Sequence, residues 1–87
     1  MFNLKTVREF IHADSIGKNK YGNIVIRRGF FYTNGMDHEK FAANIVANLE
    51  KNGIAVRVVN MYTVWKRFRG GSSVANSSHF FVEIAEA

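Results

Sequence analysis

The sequence predicts an α+β fold, a two-layer sandwich with element order α-β-α-β-β in which two helices cover one face of a small three-stranded mixed sheet. Three observations lead to this prediction. The chain has 87 residues, 47% of them hydrophobic, which is enough for one small core, so residues 1–87 are expected to form a single domain. Two segments carry apolar residues at helical spacing, and three are rich in β-branched and aromatic residues.

No apolar run approaches the ~18 residues of a membrane span, so we expect no membrane contact and a cytoplasmic location, in the host cytoplasm if a phage encodes the chain.

The first helix follows from an amphipathic pattern near the start of the chain. Its apolar residues recur at steps of three and four: Leu4, Val7, Phe10 and Ile11. Asn3 precedes them and is a suitable N-cap. The next run, DSIGKNKYGN over 14–23, contains two glycines, two lysines and two asparagines. This composition favours turns, so we expect a basic loop.

The segment IVIRRGFFYT over 24–33 predicts the first strand, because its residues are mostly β-branched or aromatic. Alternation places Ile24, Ile26 and Arg28 on one face, with Arg27 and Gly29 on the other. A glycine inside a strand often marks a bulge. A bulge at Gly29 would exchange the two faces, so the sequence leaves open which of the two phenylalanines that follow it is buried.

A second helix is expected over 37–52. Asp37 is suited to cap its start, and Gly53 lies where a helix often ends in a left-handed residue. One apolar stripe runs along it: Phe41, Ala42, Ile45, Val46 and Leu49. This stripe should pack on the sheet.

The last part of the chain predicts an antiparallel hairpin. Residues 54–69 form a strand-like stretch that greatly exceeds the usual strand of ~5–6 residues, so we expect a break or bend near Asn60. GGSSVANSS over 70–78 should be a flexible connection. The final segment, 79–85, alternates, with Phe80, Val82 and Ile84 on one face and His79, Phe81 and Glu83 on the other.

The formal charge of +5 is divided unevenly between these elements. The helical segments 3–14 and 37–52 carry four basic and five acidic residues, a net charge of −1. Strands and loops carry eight basic and two acidic residues, a net charge of +6. No acidic residue occurs between Asp14 and Asp37 or between Glu50 and Glu83. Positive potential on the sheet and its loops would attract a polyanion.

The sheet face opposite the helices is the candidate binding site. If Tyr62, Val64 and Phe68 face the core, then Trp65 lies with Phe81 on the outer face, where both could stack on bases of RNA or single-stranded DNA. The cations expected to contact phosphates are Lys66, Arg67, Arg69 and Arg27, and Arg28 and His79 complete the candidate site. A shift of one residue would instead bury Trp65 with Val59 and Met61.

Other functions remain open at this stage. Tryptophan and arginine are also common anchors of protein interfaces, so the same residues could belong to a phage-type or mobile-element inhibitor, similar in style to an anti-CRISPR, that docks on a nucleoprotein complex of the host. A homodimer through an exposed strand edge is a further alternative. The glycines of FRGGSS over 68–73 would let backbone amides approach a phosphate, although a mobile hairpin loop explains them equally.

Catalysis and metal binding receive little support. The chain has no cysteine, which removes thiolate nucleophiles and thiolate metal sites. Its histidines, at 12, 38 and 79, show no ligand spacing. We therefore expect a non-enzymatic protein without metal or cofactor. A ribonuclease-like site with His79 as proton carrier and Lys66 or Arg67 as phosphate clamp is the enzymatic alternative.

The run IVIRRGFFYTN, followed by a helix and later by WKRFRGGSS and a final strand, resembles the split strand–helix–strand layout of a small-subunit ribosomal protein family of archaea and eukaryotes. The resemblance covers roughly residues 24–86. The chain lacks the basic C-terminal extension of that family, and the resemblance assigns no function to any residue. In its size and single-domain style, the chain also resembles small proteins of phages and mobile elements.

Overall fold

The structure is a computed structural model that describes the backbone of residues 2–30, 36–70 and 73–87, and the side chains of 2–29, 36–65 and 78–87. Six elements follow one another along the chain: α1 (Leu4–Phe10), β1 (Ser15–Lys18), β2 (Ile24–Phe30), α2 (His38–Lys51), β3 (Val56–Gly70) and β4 (Ser73–Glu86). The predicted α+β class is confirmed.

The sheet has four strands in the order β1-β2-β4-β3, and each neighbouring pair is antiparallel. The predicted three-stranded mixed sheet and the order α-β-α-β-β are therefore wrong in two respects. Part of the expected basic loop forms β1, which pairs with β2 from Ser15 to Lys18. In addition, β4 lies between β2 and β3. These two strands run in the same direction but are not neighbours, and α2 makes the crossover between them.

Helix α1 is short and is held at both ends. The side chain of Asn3 accepts a hydrogen bond from the Thr6 amide at 2.8 Å, as expected of an N-cap. Arg8 donates to the carbonyl oxygen of Ile16 in β1 at 2.8 Å. Asn48 of α2 donates to the carbonyl oxygen of Phe10 at 2.6 Å. These bonds connect α1 to the edge of the sheet and to α2.

Helix α2 begins and ends where its sequence signals predict. Asp37 accepts from the Lys40 amide at 2.8 Å, and Gly53 has a φ of 80°, a left-handed conformation that favours glycine. The buried residues of α2 are Phe41, Ala42, Ile45 and Leu49, all of them from the predicted apolar stripe.

The core lies between the two helices and one sheet face. Ile24 and Ile26 of β2 and Phe80, Val82 and Ile84 of β4 point towards the helices and are buried. They pack with the α2 stripe and with Val7 and Ile11 from the α1 region. The predicted inward face of the last strand is confirmed.

Of the two predicted strand irregularities, the structure contains the one near Asn60 but not the one at Gly29. The register of β2 with β4 is continuous through Gly29, so the bulge expected there is absent. The register of β3 with β4 shifts between Val58 and Asn60, which leaves Val59 as an extra residue. The break or bend expected near Asn60 is thus a bulge within one continuous strand of 15 residues.

The connection expected over 70–78 is wrong over most of its length, because β4 already begins at Ser73. The alternative burial of Phe30 or Phe31 concerns side chains that lie outside the described residues.

Val82→Ala and Val59→Ala apply the same substitution to a buried and to an exposed strand position. The Val82 side chain has 0% exposure, whereas that of Val59 has 42%. Val82→Ala should therefore lower the free energy of unfolding by about 2–3 kcal/mol, and Val59→Ala by less than about 1 kcal/mol. Chemical denaturation with equal m-values measures both. Equal losses would contradict the core described above.

Candidate functional site

One face of the sheet carries no helix among the described residues, and we call it the open face. Its side chains come from β2, β4 and β3, and the strand register arranges them in three rows across the sheet. Each row contains one residue from each of these three strands, in that order: Arg27, Phe81 and Tyr62 in the middle; Gly29, His79 and Val64 towards the β3–β4 hairpin; and Val25, Glu83 and Asn60 at the other end.

The middle row contains an aromatic pair. The rings of Tyr62 and Phe81 are stacked, with centroids 4.9 Å apart and planes 6° from parallel. Arg27 is the register partner of Phe81 on its other side. Phe81 is half-buried between these neighbours, whereas Tyr62 is 45% exposed. The Tyr62 ring is therefore the more accessible member of the pair.

The hairpin-side row depends on a close approach at Gly29. A Cβ atom on Gly29 would lie 2.9 Å from Cε1 of His79 and 3.3 Å from Oδ2 of Asp14. The Gly29 amide donates to the same Asp14 oxygen at 2.7 Å. Gly29 is thus needed as space for a neighbouring ring and carboxylate, which is a second common reason for glycine in a strand.

His79 also contacts Arg27. Nη1 of Arg27 lies 3.3 Å from Nδ1 of His79. A guanidinium only donates, so Nδ1 accepts in this contact. The arginine of the middle row and the histidine of the next row therefore form one polar group beside Phe81.

The third row contains a carboxylate. Asn23 donates from Nδ2 to Oε2 of Glu83 at 2.7 Å. This hydrogen bond, with a further one from Asn19, stabilises the charged form and holds the pKa of Glu83 below its ordinary value of 4.5. Glu83 is therefore a fixed negative charge at the end of the open face far from the hairpin.

The open face is mixed in charge within the described residues. Two arginines lie on this face, Arg27 and Arg57, the register partner of Ala85; the carboxylates of Asp14 and Glu83 lie on it as well. Three further cations follow in β3, where their backbones pair with β4 while their side chains lie outside the described residues: Lys66, Arg67 and Arg69. The charges described on or next to the strands of this face, two arginines and two carboxylates, are therefore balanced.

Three of the predicted site residues come together on this face: Arg27, His79 and Phe81. Trp65 does not join them, and the prediction that it lies beside Phe81 is wrong. Its register partner is the buried Ser78, and two residues earlier Thr63 contacts Nδ1 of His38 in α2 at 2.7 Å. Trp65 therefore lies on the helix side of β3.

The bulge at Val59 explains this exchange. Before it, Val56 and Val58 lie on the helix side; after it, Met61, Thr63 and Trp65 do. An extra residue reverses the alternation. Of the predicted core-facing residues, Tyr62 and Val64 consequently lie on the open face. The shifted alternative is correct in placing Trp65 on the side of Met61, but Trp65 is 69% exposed and not buried.

Arg28 is separated from Arg27 as well. It lies on the helix face of β2 and lines a cavity of about 360 Å³ together with His12, Phe41 and Ile45. The open-face site therefore contains Arg27 without Arg28. It also contains Tyr62, which the sequence reading assigned to the core. The spacing of two residues places Tyr62 and Val64 on the same face of β3. The sequence indicates which face this is only when the bulge at Val59 is known.

Comparison of the chain with protein-family models, with curated proteins and with solved structures finds no match. We therefore infer function from the geometry of the chain itself. Among the described residues, no group of three or more potential metal-ligating side chains occurs. None of the described helices is long and apolar enough to cross a membrane.

Gly29→Ala and Gly17→Ala test the close approach at His79. An added Cβ overlaps the imidazole at Gly29 but meets nothing within 4 Å at Gly17. Gly29→Ala should therefore displace His79 from Arg27 and destabilise the protein by about 1 kcal/mol or more, whereas Gly17→Ala should stay within about 0.5 kcal/mol of the wild type. Denaturation gives the stabilities, and NMR shifts of the His79 ring report its position. An unmoved ring in Gly29→Ala would contradict the contact.

Asn23→Ala should raise the pKa of Glu83 towards 4.5, because it removes the main hydrogen bond to the carboxylate. In the wild type, the contribution of Glu83 to stability is complete above this ordinary pKa and is lost as the pH falls through the lower folded-state pKa. The titration of the Glu83 carboxyl by NMR measures the change. Asn60→Ala is the control, since Asn60 is only the cross-strand neighbour of Glu83. A larger rise in Asn60→Ala would refute the assignment.

Proposed function

We propose that this protein binds RNA or single-stranded DNA through the open face, without a metal or cofactor. The observation that carries the proposal is the middle row, in which Arg27, Phe81 and Tyr62 lie side by side across three neighbouring strands. An aromatic ring next to a guanidinium on a helix-free sheet offers a stacking surface for a base and a donor for the adjoining phosphate.

Tyr62 is the residue that contacts the base in this proposal. One face of its ring is covered by Phe81, and the outer face remains for a base. Phe81 supports Tyr62 from the inner side, where a stacked aromatic neighbour restricts the ring and adds about 0.5–1.5 kcal/mol of pair energy. A ring held in this way loses little conformational freedom when a base stacks on it.

Arg27 and His79 supply the polar contacts. The guanidinium of Arg27 carries donors beyond the Nη1 that contacts His79, and these can reach a phosphate beside the stacked base. A guanidinium suits this role because its planar donors match phosphate oxygens in pairs.

The charge distribution gives the bound strand a direction. Glu83 repels phosphate at one end of the face, and Lys66, Arg67 and Arg69 follow Val64 at the other end of β3, where Lys66 continues the backbone register of Tyr62 and Val64. The nucleic acid should therefore run from the middle row towards the β3–β4 hairpin.

We place this function in the cytoplasm, or in the host cytoplasm if a phage encodes the chain, in keeping with the absence of cysteine.

Anisotropy titration with a fluorescein-labelled oligouridine or oligothymidine tests the proposal. Tyr62→Ala should weaken binding by about 5- to 150-fold, the equivalent of one stacked base at ~1–3 kcal/mol, while Tyr62→Phe should bind like the wild type. Tyr21→Ala is the matched control, because Tyr21 is 72% exposed but lies in the β1–β2 turn. An equal loss in Tyr21→Ala would exclude Tyr62 as a specific stacking surface.

The salt dependence of the same titration separates stacking from phosphate contact. Arg27→Gln should reduce the slope of log affinity against log salt by about 0.7, the value for one phosphate of a single strand, and Tyr62→Ala should leave the slope unchanged. Arg28→Gln should have neither effect, since Arg28 lies on the helix face. Absence of binding by the wild type at micromolar oligonucleotide and low salt would overturn the proposed function.

A further inference from the structure

The outer edge of β3 is the second unusual surface of the molecule. β3 is the last strand in the sheet order, and no described residue pairs with its outer side. Its 15 residues make it far longer than the usual strand of ~5–6. A long edge strand presents a row of backbone donors and acceptors that another strand can use.

This edge is also apolar. Seven large hydrophobic side chains are exposed among those described, and six of them belong to β3: Val58, Val59, Met61, Tyr62, Val64 and Trp65. Val58, Met61 and Trp65 lie on the helix side, whereas Tyr62 and Val64 lie on the open face. Because exposed apolar groups flank the edge on both faces, an added strand would cover both sets with its alternating side chains.

The usual protection of an edge strand is weak here. Natural edges are protected by lysine, proline, inward charges or β-bulges. From Val58 to Trp65 there is no charged residue and no proline, and the bulge at Val59 is the one irregularity in the register of β3 with β4.

The charges that flank this segment identify the kind of strand it can accept. Arg57 precedes it, Lys66, Arg67 and Arg69 follow it, and no acidic residue occurs between Glu50 and Glu83. A second copy of β3 in antiparallel alignment, with Met61 opposite Tyr62, would bring Arg57 against Lys66 of its partner, and a parallel alignment in register would place each cation beside its own copy. Like charges on facing strands are destabilising. The pattern therefore disfavours self-pairing and complements a strand with acidic ends.

We propose that the outer edge of β3 binds an extended protein segment as a fifth strand, and that this segment has apolar residues in its centre and Asp or Glu at both ends. Backbone hydrogen bonds from Val58–Trp65 hold the segment, its apolar side chains cover the exposed residues on either side of the edge, and its carboxylates meet the flanking cations. This site goes beyond the nucleic-acid face, because it uses the edge of the sheet.

Synthetic peptides test this proposal on the full chain. The first probe is the capped peptide EEVTVTVTEE; its two controls are KKVTVTVTKK, with reversed charge, and EEPTVPTVEE, with the same charge but with prolines that prevent strand pairing. NMR titration of the labelled protein should show amide shifts along residues 58–65 with the first peptide, and much weaker or no shifts with either control. Equal binding of the proline peptide would reduce the interaction to charge attraction and overturn the proposal.

Val64→Lys distinguishes strand addition from charge attraction within the protein. It adds a positive charge, so simple attraction of an acidic peptide would become stronger. A lysine in the middle of an edge strand hinders pairing, so strand addition should become weaker by about tenfold or more. Met61→Lys gives the same test at a second position if Val64→Lys fails to fold, and Tyr21→Lys adds the same charge away from β3. Tighter binding by the Val64→Lys or Met61→Lys variant would refute the proposal.

Sedimentation of the free protein completes the test. A monomer at the concentration of the titration agrees with a free edge. A dimer that Val64→Lys dissociates would assign the edge to a second copy of this chain and overturn the acidic segment as its occupant. Tyr62 belongs to both surfaces, but strand addition is detected at the backbone amides of 58–65 and oligonucleotide binding by anisotropy and its salt dependence, so either proposal can fail while the other stands.

Discussion

The structure depends on the pairing of β4 with two partners at once. As the strand between β2 and β3, it supplies backbone hydrogen bonds on both sides. Its alternate residues lie on opposite faces. Phe80, Val82 and Ile84 are buried in the core, while His79 and Phe81 contact Arg27 and Tyr62 on the open face. The same alternation therefore determines where the core lies and which aromatic ring becomes available at the surface.

The position of β4 also creates the exposed edge. Since β4 separates β2 from β3, the crossover through α2 delivers β3 to the outside of the sheet, where β4 is its only described strand neighbour. Apolar side chains that would be covered in a central strand are then exposed on both faces. The bulge at Val59 adds a second effect, because it turns Tyr62 towards the open face and Trp65 towards the helix side.

The two proposed binding surfaces rely on different physical terms. The open face combines one accessible ring with Arg27, and in the proposed function it would select a ligand by stacking and by charge. The edge of β3 offers backbone hydrogen-bonding groups and apolar side chains on two sides, and in the further proposal it would select a partner by its extended conformation. Asp14 and Glu83 are held by Gly29 and Asn23, so a carboxylate lies at each of the two rows that flank the middle row.

The sequence by itself determined the features that depend on neighbouring residues. Asn3, Asp37 and Gly53 mark helix ends through local hydrogen bonds and a local φ preference, and the alternation of residues 79–85 predicts the inward face of β4. Strand β1 was missed because its four residues lie within a turn-like composition and are defined by pairing with β2. The tertiary structure alone decided the position of β4, the role of Gly29 and the side on which Trp65 lies. Each of these depends on register with a strand distant in the chain, and for Trp65 one extra residue at Val59 is enough to reverse the face.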